Sequence, residues 1–271
     1  MANNIQLTAA MRTNLLSLQN TQKLMDQTQQ RLATGLKVNS AIDNPASYFT
    51  AAGLNQRAGD LEALLDSMGQ GIQTLKAADE GIKAITRLVE QAKAVANQLA
   101  ETADATQQAK YIAQYSDLIT QIDELGKDAG YKGINLLNGT DTLTVKFNEL
   151  TGTAVSKIAI SAVDASAVTG LGMSSAITAA SIQTDIDSIT DAITKLRGYA
   201  SDFGNSYSIV QNREQFTENL INVLTEGADK LTLADMNEES ANMLALQTRQ
   251  QLGVNSLSLA SQAAQSVLRL F

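Results

Sequence analysis

Few residues in this chain could do chemistry, and they are not gathered to do it. Histidine and cysteine are absent from its 271 residues. That removes Ser-His and Cys-His catalysis, disulfides, and every zinc site that uses either residue. Carboxylates remain, and Asp123-Glu124 and Glu238-Glu239 could in another setting share a proton or hold a metal. Sequence neighbours leave a helix on different sides, and nothing polar converges on either pair, so both read as solvated faces. Asn138-Gly139-Thr140 fits a glycosylation acceptor, but it fits a tight turn better. Gly170-Leu171-Gly172 lacks the strand–loop–helix setting of a phosphate-binding loop. Met25, Met68, Met236 and Met243 fall where helical seams would bury them, which suits core filling rather than a cofactor role. The reading is therefore of a protein that is not an enzyme, with no catalytic residue, metal or cofactor.

Composition narrows the class further. Apolar residues make up 44% of the chain but aromatics only 4%, so the core is aliphatic, as helical seams favour. Proline occurs once, and since interior proline breaks helices, very long ones are permitted. The net charge of −8, without a Lys/Arg cluster, argues against nucleic acid and anionic membrane as partners. No basic stretch followed by an apolar run opens the chain, and no 18 consecutive residues are apolar. The expectation is no membrane insertion and, by conventional logic, a cytoplasmic protein.

The elements follow from hydrophobic period. Both ends carry a seven-residue apolar repeat. Leu7 precedes Met11, Leu18, Met25 and Leu32; Met236, Met243, Leu257, Ala264 and Phe271 close the chain, with Leu268 beside them. Asn14, Thr21, Thr28 and Gln250 are polar steps within these seams, of the kind that costs stability but selects register and partner number. Chain ends are normally polar and frayed, so such seams imply association through the ends, ordered on assembly. Gly35 is a natural helix stop, and Asp43-Asn44-Pro45 a natural restart. Leu61, Met68, Leu75, Ile82, Val89 and Ala96 are six successive heptad positions. Tyr111, Tyr115, Leu118, Ile122 and Leu125 mark a third helix, and Ile186, Ile193 and Phe203 lie on a long return helix. Between them Leu143, Val145 and Phe147, then Ile158 and Ile160, alternate as strands of a hairpin. The expected fold is mainly α: an elongated antiparallel helical bundle or coiled coil, with a small β-hairpin region at its tip. Residues 181–228 alone would span roughly 70 Å as helix. The expected parts are 1–40 and 231–271 (paired terminal helices), 41–138 and 181–230 (helical core), and 139–180 (β region).

Several stretches carry a family resemblance. Arg31-Leu32-Ala33-Thr34-Gly35-Leu36-Lys37-Val38-Asn39-Ser40-Ala41-Ile42-Asp43-Asn44-Pro45 resembles the N-terminal signature of bacterial flagellins. Tyr131 to Leu137, Gln211-Asn212-Arg213, Leu233 to Met236 and Val267 to Leu270 resemble further flagellin segments in the right order. The resemblance implies a secreted filament subunit used for swimming, which would overturn the cytoplasmic inference. It implies export through the flagellar type III apparatus with an export chaperone, and polymerisation beneath a filament cap. The partners would be copies of itself and the hook-associated junction proteins, with the paired termini forming the inner coiled-coil tube. The short β region implies a compact flagellin with little or no outer domain. Ala264 stands where many relatives carry proline. Arg87 matches a position that the innate Toll-like receptor reads, but Gln91 and Gln114 replace the expected Leu and Glu; recognition by that receptor is not expected. A hook–filament junction protein and a cytoplasmic coiled-coil adaptor are the alternative readings. Seeded polymerisation and brief proteolysis of the ends separate them.

Overall fold

The structure is a computed structural model that describes residues 9–268. Its regular elements are α1 (Ala9–Thr34), α2 (Pro45–Glu101), α3 (Ala105–Asp128), β1 (Thr142–Lys146), β2 (Lys157–Ser161), α4 (Ile182–Thr232) and α5 (Met236–Leu268). Local chemistry sets the boundaries. α1 stops at Gly35, whose φ of +72° is the left-handed conformation that glycine adopts without strain. The single proline takes the first position of α2, where its missing N–H costs nothing, and the Asn44 side chain accepts from Ser47 N at 3.2 Å. Asp104 caps α3 through Thr106 N at 2.8 Å, and Asp235 caps α5 through Asn237 N at 2.8 Å.

The chain divides into two compact units, one comprising residues up to Gln56 and from Leu224 onward, the other Arg57–Val223. In the second unit α2, α3 and α4 enclose an aliphatic core. Met68, Leu75, Ile82 and Val89 of α2 are at most 2% exposed. They pack in one cluster with Tyr115 and Ile122 of α3 and with Ile189, Leu196 and Phe203 of α4.

The two strands pair antiparallel, with Leu143 opposite Ile160 and Val145 opposite Ile158. Leu143, Val145 and Ile160 are buried while the alternate residues face outward. Within this unit the hairpin and the segment before it pack on α2. Ala129 and Leu137 come against Gly81 of α2, Val145 against Gly71, and Glu149 meets Arg57 at 2.8 Å. α3 therefore ends level with Gly81, and the sheet covers the stretch of α2 that α3 leaves open. Arg213 of α4 sits 5.4 Å over the Phe147 ring on the same hairpin, a cation–π contact.

Candidate assembly surface

In the first unit α1 and α5 pack antiparallel. Arg31 meets Glu239 at 2.8 Å, Gln250 Nε2 donates to Gln22 Oε1 at 2.8 Å, and Leu18 lies against Gly253. The inward face of α1 follows a four–three spacing: Met11, Thr21 and Thr28 are buried, and Asn14, Leu18, Met25 and Leu32 half-buried. Thr21 satisfies its hydroxyl on Ser17 O at 2.9 Å. The inward face of α5 consists of Glu239, Met243, Leu246, Gln250, Gly253, Leu257 and Ala260, with Glu239 and Leu246 buried and the rest half-buried. Met236, in the first turn, is 46% exposed. Ala264 and Leu268 belong to α5 but their surroundings are not described, and Leu7 and Phe271 lie outside the described residues.

The pairing leaves much apolar surface uncovered. Leu15, Leu16 and Leu24 on α1, and Leu244, Leu252, Val254 and Leu259 on α5, are between 39% and 66% exposed. An amphipathic hairpin that satisfied itself would present polar residues there.

At the inner end of this pair the chain crosses from α1 to α2 beside the break between α4 and α5. Lys37 N and Val38 N donate to Thr232 O at 2.8 and 3.3 Å, and Ala234 N donates to Gly35 O at 2.9 Å. Lys37 Nζ donates to Lys230 O at 3.1 Å. The Asp43 carboxylate accepts from Asn39 N, Ser40 N and Ser40 Oγ. Those donors, the Ser40 and Asn39 amides foremost, hold its pKa below the usual carboxylate value. An open cavity of about 480 Å³ lies at this joint, lined by Arg31, Lys37, Asp43, Lys230 and Glu239 among others.

Glu239 is 7% exposed and ion-paired to Arg31, so Glu238-Glu239 is not simply a solvated face. Asp123 likewise accepts from Ala167 N at 2.7 Å, tying α3 to the loop before α4. Asn138-Gly139 is a turn, its side-chain oxygen accepting from Thr140 N and Asp141 N.

Core-seam residues Leu61, Met68, Leu75, Ile82, Val89, Ile193 and Phe203 are buried, and Ile186 is half-buried. Arg87, Gln91 and Gln114 are exposed. The two glutamines line an open hollow of about 470 Å³ with Val95 and Leu118. A buried polar cluster closes the start of α4: Asp185 accepts from Ser174 Oγ and Ser181 Oγ, and Tyr115 OH donates to Ser174 O at 3.1 Å. Burial, helped by the Asp185 charge, raises the phenol above its ordinary pKa. This cluster joins α3, the loop before α4 and the first turn of α4. Among the described residues no three metal-ligating side chains gather, and no helix is long and apolar enough to cross a membrane.

Residues 3–142 match the bacterial flagellin N-terminal helical region, and residues 186–271 the bacterial flagellin C-terminal helical region. The chain is 34% identical over 266 residues to flagellin FljM of Caulobacter vibrioides, covering 95% of each. It is 31% identical over 272 residues to a flagellin of Brucella melitensis, covering 96% of this chain and 95% of that one. A crystal structure of Bacillus cereus flagellin overlaps with a TM-score of 0.46 at 18% identity, over 55% of this chain and 86% of that one. With both terminal regions matched and near-complete coverage of relatives above 30% identity, the chain belongs to the bacterial flagellin family.

Proposed function

We propose that this chain is the repeating structural subunit of an extracellular bacterial flagellar filament, and that the α1–α5 pair forms the filament's inner coiled-coil tube. One observation carries the reading: among the described residues the paired end helices expose eight large apolar side chains, Met236 included, at 39–66%. Large apolar side chains left open on a helix pair call for a partner to cover them, and a second layer of the same helices does so. The inward polar steps Thr21, Thr28 and Gln250 weaken the pair within one subunit, so that it gains most of its order from neighbours. Buried positions of α2 and α4 give the core its rigidity and leave their outer faces for lateral contacts.

Partners follow from this role. The unfolded chain passes the export apparatus with a chaperone on its apolar ends, and adds beneath a cap on a filament that starts at junction proteins. Gln91 and Gln114 do not supply the Leu and Glu that recognition by the innate receptor calls for, which argues against sensing at Arg87.

Seeded growth tests the central claim. Full-length protein should extend filament fragments under the electron microscope, while chains lacking residues 1–30 or 240–271 should stay soluble, helical and monomeric. Long filaments grown from either truncated chain would overturn the role given to the ends.

A further inference from the structure

Seven-residue repeats leave an ambiguity in how the two end helices align. Slide α1 along α5 by seven residues and apolar still meets apolar, because Met11, Leu18, Met25 and Leu32 are alike in kind. Only features that do not repeat can select one alignment.

Gly253 is such a feature. It is the one glycine in α1 or α5, and glycine is the poorest helix-interior residue after proline. A Cβ at this position would stand 2.7 Å from Leu18 Cδ2 and 3.1 Å from Leu18 Cγ, so Leu18 fills the space of the missing side chain. Gly53, Gly59, Gly198 and Gly204, inside the long helices α2 and α4, meet nothing within 4 Å. One turn before the notch, Gln250 Nε2 donates to Gln22 Oε1 at 2.8 Å. The Arg31–Glu239 pair holds the hairpin near the joint, and Gly253 lies about four turns further along α5.

Resting on the reading of the end pair as the assembly element, we propose that Gly253 determines its register. The notch seats Leu18 and, with the Arg31–Glu239 pair, admits one alignment of the two ends. A bulky residue at 253 lifts α5 away from α1 or displaces it, and the exposed leucines of the two helices then lose the relative positions that the next copy meets.

The chain has no cysteine of its own, so thiol crosslinking reads the alignment directly in full-length cysteine variants co-assembled onto filament seeds with an excess of the cysteine-free parent. Q22C/Q250C reports the observed register, and Q29C/Q250C reports a slip of one heptad. With a short bifunctional thiol reagent, the aligned pair should close within the molecule at least about tenfold faster than the slipped pair. Adding G253L should cut that preference to within about twofold. L18A/G253L, which moves the knob to the opposite helix, should restore it. Retention of the full preference in G253L overturns the proposal. So does failure of L18A/G253L to restore it while circular dichroism shows undiminished helix. Seeded growth of the parent alone tests the other claim separately: failure to extend seeds counts against assembly, while growth with equal closure of the two thiol pairs counts against the register.

Discussion

Asp43 gathers three donors from one turn, at 3.0–3.2 Å, and its pKa is held down chiefly by the Ser40 and Asn39 amides. The folded carboxylate therefore binds its proton less readily than the unfolded one. Its contribution to stability is fully present above the ordinary carboxylate pKa, about 3.9, and is lost as pH falls through the lower folded value. Hydrogen exchange at Asn39 and Ser40, corrected for intrinsic rates, should show protection at neutral pH that disappears on acidification. D43A should show that loss already at neutral pH, and unchanged protection in D43A would remove Asp43 from this role. The turn was legible in the sequence, because Gly35, Asp43, Asn44 and Pro45 act on neighbours. Glu239 was not, since its partner Arg31 is 208 residues away and no local pattern records such a pairing.

At the scale of elements, the alternation of Leu143 and Val145 with polar residues was enough to read the strands. Which residues of α2 they pack on was not, because that depends on where α3 stops against α2. The stop is a close packing point. A Cβ on Gly81 would lie 2.7 Å from both Ala129 Cβ and Leu137 Cδ1, and Ala129 Cβ cannot rotate away from the backbone that holds it. Gly81→Val should destabilise the core unit by roughly 1–3 kcal/mol, seen as a lower midpoint in urea unfolding. An unchanged midpoint would mean that α3 and the hairpin can shift without loss. Glycine inside a 57-residue helix reads in sequence only as a weak point, since its reason lies on another element.

Across the whole molecule, buried and exposed leucines have different consequences. Leu259 is 66% exposed, so replacing it by alanine should leave the unfolding of the isolated monomer nearly unchanged. The same replacement removes surface that a neighbouring copy would cover. A buried leucine contributes about 1.5–3 kcal/mol over an exposed one, so L259A should raise the free-subunit concentration left beside filaments by about fivefold or more. Sedimentation of filaments and assay of the supernatant measures it; an unaltered supernatant would place Leu259 outside the contact. Each uncovered side chain on the end pair thereby becomes a term in a solubility product. Under the proposed assembly the filament is the solid phase of this protein, and the apolar surface left open on α1 and α5 would set how dilute the surrounding solution must become before it dissolves.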